Sequence, residues 1–141
     1  TPPPTRRFAM IQAELPNAQS GIRNEPATDE GGGENAAYIT AGDWLRFDKV
    51  TFPNEFPMNF FGARIASGAR PGVTGTLEVR LDGITSPVVA TIPVSNTGGW
   101  QNWRTDTVVM TRTIAGVHDI YVTFTGPSRA DFVNVNWVTF S

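Results

Sequence analysis

The chain has no cysteine. That excludes a disulfide scaffold, a thiolate metal site and a thiol nucleophile. A single histidine, His118, is present. Without a Gly-x-Ser-x-Gly elbow beside it, there is no catalytic triad to assemble. Charge is also scarce, at 17% of 141 residues, with a formal net charge of -2. No basic excess is available to hold a phosphate backbone, so nucleic acid is not an expected partner. No apolar run approaches the roughly 20 residues of a membrane-spanning helix, so no membrane partner is expected. No amphipathic helix of ten or more residues can be traced. No signal peptide is visible, and the opening Thr1-Pro2-Pro3-Pro4-Thr5 reads as the end of an extended Pro/Thr linker over residues 1–7. One domain over residues 8–141 is expected after it, large enough for a real core. This is the pattern of a module cut from a larger protein whose targeting segment lies elsewhere.

Glycine and proline are plentiful, 14 and 11 residues, and they punctuate short β-patterned segments. Residues 8–14 read as a first strand, 15–27 as a loop anchored by Ile22, and 38–40 as a short strand before a turn at Gly42-Asp43. Over residues 44–50 the alternation turns Leu45 and Phe47 toward the core and Arg46 and Asp48 outward. Strands are expected again at 58–65, 76–81, 88–94, 104–113, 118–125 and 132–140. In the second of these Leu77, Val79 and Leu81 alternate with Glu78 and Arg80. Asp82-Gly83 marks a tight hairpin turn. With no crossover helices, parallel βαβ units are ruled out. The pattern predicts an all-β protein, an antiparallel sandwich or barrel.

Two loops gather aromatic and hydrogen-bonding side chains. Gly31-Gly32-Gly33 can bend sharply and approach a ligand closely. Glu34, Asn35 and Tyr38 follow at once, then Trp44 after a second turn. Rigid aromatic faces beside amides and carboxylates suit a flat polar ligand such as a sugar ring. The alternative is that Tyr38 and Trp44 are tucked into the core, a common fate of such residues. In the second loop Thr97-Gly98-Gly99 precedes Trp100-Gln101-Asn102-Trp103. Strand parity puts Arg104, Val108 and Met110 inward and Trp103, Thr105 and Thr107 on the other face. Trp103 is therefore expected to be exposed, Trp100 lies nearer the loop tip, and one of the two is expected to cap the core.

Other chemistry is thinner. His118 follows Ala115-Gly116-Val117 at a strand start and reads as a structural turn residue. Paired carboxylates could serve glycoside hydrolysis, but the acids sit in turns or aromatic loops and the chain is short for a glycosidase cleft. Gln12 and Glu14 share one face of the first strand, Glu34 lies in the glycine loop, and Asn134 and Asn136 share one face of the last strand. Oxygen ligands drawn from both chain ends suit calcium, although strand-edge carboxylates are usually just solvated.

The segments that carry a wider resemblance are Ile11-Gln12-Ala13-Glu14, Gly31-Gly32-Gly33-Glu34-Asn35-Ala36-Ala37-Tyr38-Ile39, Ala41-Gly42-Asp43-Trp44-Leu45, Thr97-Gly98-Gly99-Trp100-Gln101-Asn102-Trp103, Ala115-Gly116-Val117-His118 and Phe132-Val133-Asn134-Val135-Asn136-Trp137. In this order and spacing the chain resembles carbohydrate-binding module family 6 over nearly its full length after the linker. The resemblance implies a β-sandwich, a jelly roll of two antiparallel sheets, without catalysis. It implies covalent attachment to the catalytic domain of a secreted, extracellular polysaccharide-degrading enzyme. A monomer is expected. A loop-edge cleft would sandwich a sugar ring between Tyr38 and one of Trp100 or Trp103, with Glu25 at the rim and a further contact from Asp131 or Asn134. Trp44 and Glu78 match residues of a second cleft that some members carry on the concave sheet face. A structural calcium would join the chain ends through Gln12, Glu14, Glu34 and Asn136. Many members have aspartate where Asn136 stands, so the site here carries one charge fewer. Ala36-Ala37 replaces the usual Val-Gly.

Residues 20–33 look like modules attached to β-1,3-glucanases and agarases. The expected ligand is β-1,3-glucan (laminarin), with xylan, cello-oligosaccharide and agarose as alternatives. Two other classes compete: a small glycoside hydrolase using Glu25, Glu34 or Asp43, and an extracellular adhesion module that packs its aromatics on protein.

Overall fold

The computed structural model describes residues 9–141, among which there is no helix. The linker, residues 1–7, and Phe8, expected to open the first strand, lie outside the described residues. One antiparallel sheet holds β1 (Ala9–Gln12), β3 (Arg23–Pro26), β4 (Glu34–Ile39), β6 (Met58–Ser67), β9 (Gly99–Ile114) and β11 (Val133–Phe140). Its order is β3-β4-β11-β6-β9, with β1 also paired to β11. The other holds β2 (Ala18–Ser20), β5 (Trp44–Phe52), β7 (Gly75–Leu81), β8 (Val88–Val94) and β10 (Gly116–Thr125), in the order β2-β5-β10-β7-β8. The two sheets make the expected jelly-roll β-sandwich.

Alternation drives the packing. Leu45 and Phe47 of β5, Leu77, Val79 and Leu81 of β7, and Ile120, Val122 and Phe124 of β10 are all buried. They meet Phe61, Ala63 and Ile65 of β6 and Val133, Val135, Val138 and Phe140 of β11 across the sandwich. The ring of Phe140 lies 5.1 Å from that of Phe52 and 5.2 Å from that of Phe61. Truncating a phenylalanine in such a core typically costs about 3–5 kcal/mol. On β5 the parity changes at Lys49, whose φ is 51°, so that Phe52, an even position, is also buried. A register shift on the facing stretch of β10, between His118 and Ile120, accompanies it.

The stretch expected as a loop over 15–27 contains two short strands instead. β2 pairs with β5 and β3 pairs with β4. Their side chains are mostly exposed, so no apolar alternation marks them, and only backbone pairing makes them strands. The hairpin expected at Asp82-Gly83 is longer than a two-residue turn, because β7 ends at Leu81 and β8 begins at Val88. Asp82, at φ 65°, still donates its N–H to the Asp119 carbonyl at 2.8 Å, but its carboxylate, not its carbonyl, accepts the Asp119 N–H at 2.9 Å and faces His118 Nδ1 at 2.7 Å.

Two strands share one edge of β11. β1 pairs with its C-terminal half, from Gln12↔Trp137 to Ala9↔Phe140, and β4 with its N-terminal half, through Val133↔Ile39 and Val135↔Ala36. Opposite Asn134, β4 has two residues, Ala37 and Tyr38, where β11 has one. That is a β-bulge. On the β6 side Asn136 is itself the extra residue, between Val135↔Ile65 and Trp137↔Arg64. Each asparagine sits at an interruption of the ladder, and they are only 2% and 3% exposed.

Candidate functional site

The first bulge builds a cleft. Tyr38 has a φ of 59°. The left-handed conformation at a tyrosine costs on the order of 1 kcal/mol, and the buried neighbours Ala37 and Ile39 hold it in place. The ring is thereby re-aimed out of the sandwich and is 52% exposed. The core placement considered for Tyr38 is thus overturned. Glu25 of β3, Tyr38 of β4, Trp100 of β9, Asp131 of the loop before β11 and Asn134 of β11 together line a cleft of about 200 Å³.

Trp100, 37% exposed, is the second aromatic wall. Its indole rests on Gly68, where an added Cβ would lie 2.5 Å from Cδ1 and 2.7 Å from Nε1. Only glycine leaves room for that close approach. Trp103 does not join the cleft. The two indoles sit in a bulge, since β9 has four residues, 100–103, between Arg104↔Ile65 and Gly99↔Ser67 where β6 has one. Trp103 shares its face with Thr105 and Thr107, and its indole N–H donates to Gln101 Oε1 at 3.1 Å. Trp103 is half-buried and Trp100 exposed, so neither is a buried core residue.

The floor of the cleft is a hydrogen-bond network. Asn134 Nδ2 donates to Glu25 Oε2 at 3.0 Å and to the Trp100 carbonyl at 2.7 Å. Gln101 Nε2 donates to the same Glu25 oxygen at 2.8 Å and to Asn35 Oδ1 at 3.1 Å, while Gln101 Oε1 accepts the Thr28 N–H at 2.8 Å. Gln101 is thus saturated at both ends and holds Glu25 in one orientation. Glu25 Oε1 has no hydrogen bond from a described residue, so it is available to a ligand. Asp131 and Asn134, alternatives in the sequence, both reach the cleft. Burial, then the charge of Asp43, pushes the Asp131 carboxyl above its usual range.

Trp44 and Glu78 lie elsewhere, on the outer face of the second sheet. Thr123 of β10 pairs with both, so one row runs Trp44, Thr123, Glu78 across three strands. Tyr121 tilts toward Trp44 at 6.4 Å, and Arg80 Nη2 reaches Glu78 Oε1 at 3.4 Å.

The second interruption of β11 adjoins a hollow of about 690 Å³, lined in part by Gln12, Glu14, Asp29, Arg64 and Asn136. It lies at the fork where β1 ends and β4 begins. Glu34, the fourth expected metal ligand, is exposed and does not line the hollow, although its charge acts on Glu14. Burial first, then Glu34, raises the Glu14 carboxyl. Glu14 Oε1 is buried with no hydrogen-bond partner among the described residues. An orphaned carboxylate oxygen beside a second carboxylate fits a hard cation with oxygen ligands. No group of three or more acidic, histidine or cysteine side chains gathers among the described residues, so amides must complete any such set. Asp29, which the sequence reading passed over, pairs with Arg64 through contacts of 2.8 and 2.9 Å and accepts Asn136 Nδ2 at 2.9 Å. Chiefly through the Arg64 hydrogen bonds, its pKa is lowered to about 2.

Residues 12–141 match the profile of the family described as carbohydrate binding module (family 6). An arabinoxylan arabinofuranohydrolase of Paenibacillus polymyxa is 35% identical over 92% of this chain and 20% of its own length. The chain spans only 18% to 26% of the curated relatives it matches. A β-1,3-glucan-binding module of the same family from Bacillus halodurans superposes with a TM-score of 0.85 at 38% identity, covering 95% of this chain and 96% of that one. A family 6 module from Clostridium cellulolyticum, in complex with xylose, superposes with a TM-score of 0.82 at 34% identity, covering 94% and 96%. The bulge that turns Tyr38 outward, the Trp100 wall, the β-sandwich and these matches agree, and the chain belongs to carbohydrate-binding module family 6.

Proposed function

We propose that the chain is a non-catalytic module that binds β-1,3-glucan in the loop-edge cleft and holds an attached glycoside hydrolase on its polysaccharide. The observation that carries this is that Tyr38 and Trp100 line one cleft with Glu25 and Asn134. A sugar ring stacks its apolar face on the aromatic walls, and its hydroxyls meet Glu25 Oε1 and the neighbouring polar groups. The choice of β-1,3-glucan rests on residues 20–33 and on the Bacillus halodurans module. Xylan is the second reading, favoured by the arabinoxylan-acting relative and the xylose-bound neighbour. The relatives are named as polysaccharide-acting enzymes, and the proposal adds secretion with the attached enzyme, as a monomeric module. Ala9 pairs with Phe140, at the far end of β11 from Asn134, so the start of β1 and the cleft lie roughly 20 Å apart along the strand. A second cleft at Trp44 and Glu78 is part of the proposal, supported by their shared row beside Tyr121.

Calcium belongs to the proposal as well. Gln12, Glu14 and Asn136 would hold it, with Glu34 adjoining, and it would neutralise the two carboxylates where β1 and β4 meet β11. Support comes from the orphaned Glu14 oxygen.

Calorimetric titration of laminari-, xylo- and cello-oligosaccharides, with reducing-sugar release assayed in parallel, tests the reading. Laminari-oligosaccharide should bind most tightly with no sugar released. Tyr38→Ala should abolish detectable binding while its melting curve stays near the wild type. Undiminished binding by that variant would move the site away from this cleft.

A further inference from the structure

The lining of the cleft carries negative charge and, among the described residues, no basic side chain. Two of its five lining residues, Glu25 and Asp131, are acids, and no lysine, arginine or histidine lines it among the described residues. Glu25 Oε2 is held only by the neutral amides of Gln101 and Asn134. The Asp131 carboxylate has no hydrogen bond from a described residue, although it is partly buried. A third carboxylate, Asp43, lies near enough to Asp131 to raise its pKa. Four arginines are engaged elsewhere: Arg64 with Asp29, Arg46 with Asp48, Arg80 with Glu78 and Arg104 with Asp106. A cation brought by a ligand would therefore meet only acids, amides and aromatic rings in this lining.

The two kinds of sugar differ in what they offer these acids. An ionised carboxylate only accepts hydrogen bonds. A hydroxyl brings it one donor and no charge, whereas an ammonium brings three donors and a full positive charge. An ammonium on a ring held between Tyr38 and Trp100 also sits near two aromatic faces, which attract cations. A uronate in the same position meets like charges at short range.

We propose that this cleft takes a protonated amino sugar, a glucosaminyl residue, in preference to its neutral glucosyl counterpart, and rejects uronic acids, with Asp131 as the specificity-determining residue. The proposal rests on the cleft being the carbohydrate site. β-1,4-Linked glucosamine oligomers and cello-oligosaccharides of equal length differ only at C2 of each ring, which makes them the decisive pair. Both are titrated calorimetrically against the whole chain at pH 6 and low salt, beside laminari-oligosaccharide. The glucosamine oligomer should bind about fivefold more tightly than the cello-oligosaccharide. Added salt should narrow the ratio, because it screens charge. Asp131→Asn should bring the ratio toward one, while Glu55→Gln, an equal change of charge in the β5–β6 loop, should leave it at the wild-type value. Melting curves of both variants verify that they fold. A wild-type protein that binds the neutral oligosaccharides but the glucosamine oligomer no better overturns the proposal and leaves the carbohydrate cleft standing. So does a preference that survives in Asp131→Asn. If none of the oligosaccharides binds, the cleft reading fails, and the inference fails with it.

Discussion

Trp100 and Trp103 are the same residue type three positions apart, yet they differ in environment. Trp100 lies on Gly68 and faces the cleft, whereas Trp103 faces outward and gives its N–H to Gln101. An aromatic wall buries on the order of 100 Å² against a sugar face, worth about 2–3 kcal/mol at roughly 25 cal/mol per Å². Trp100→Ala should therefore weaken oligosaccharide binding on the order of 50-fold. Trp103→Ala removes one neutral hydrogen bond to a residue that has others, worth about 1 kcal/mol. It should weaken binding no more than about fivefold. Calorimetry on the two variants decides between the walls. A larger loss from Trp103→Ala than from Trp100→Ala would contradict the assignment.

At the scale of the element, β11 does two jobs because two strands share one of its edges. β4 bulges opposite Asn134 and builds the cleft, while the ladder breaks at Asn136 beside the acidic hollow. The fork leaves one Glu14 carboxylate oxygen, Oε1, buried without a hydrogen-bond partner among the described residues. Its pKa is raised, so the ionised form opposes folding, and that cost sets in as pH climbs above the unfolded value of 4.5. Glu14→Gln should accordingly melt at a higher temperature than the wild type in chelator at pH 7, with the gap closing below pH 4. In millimolar calcium the order should reverse, because only the wild type keeps the charged ligand. Calcium at 100 times its dissociation constant adds about 2.7 kcal/mol. Differential scanning calorimetry with and without chelator measures the crossover. Melting temperatures that ignore calcium in both proteins would remove the metal from the proposal.

Across the whole molecule, acid sensitivity follows from carboxylates whose pKa folding lowers. Asp29 drops from 3.8 to about 2, first through the Arg64 hydrogen bonds. Asp82 is also lowered, since the hydrogen bonds from His118 and the Asp119 N–H outweigh burial, which acts the other way. A depressed acid contributes stability above its unfolded pKa and loses it as pH falls toward the folded one. The Asp29 contribution should thus be complete above about pH 4 and fade down to about pH 2, amounting to about 2 kcal/mol. Asp29→Asn should lower stability at pH 7 by a similar amount and flatten the acid limb between pH 4 and 2. Urea unfolding across that range checks it. A variant with an unchanged acid limb would show that the Asp29–Arg64 pair does not govern this region.

The sequence by itself determined the fold class and most of the core, because burial on one sheet face writes a period of two into nearby residues. Leu77, Val79 and Leu81 needed no partner to be read as inward. β2 and β3 were illegible for the complementary reason: they are strands by backbone pairing, and their side chains carry no pattern. The aromatic wall could be narrowed only to Trp100 or Trp103, since facing depends on where the strand starts. Strand alternation could not turn Tyr38 outward, and only the family resemblance placed it in the cleft, because parity fails at a bulge set against Asn134 of β11. Gln101 could be read only as an amide of its loop, without a role, as its partners Glu25 and Asn35 stand 76 and 66 positions away. Local periodicity is a property of neighbours in the chain. The cleft is made by residues that are neighbours only across strands, so tertiary structure alone decided which of them meet.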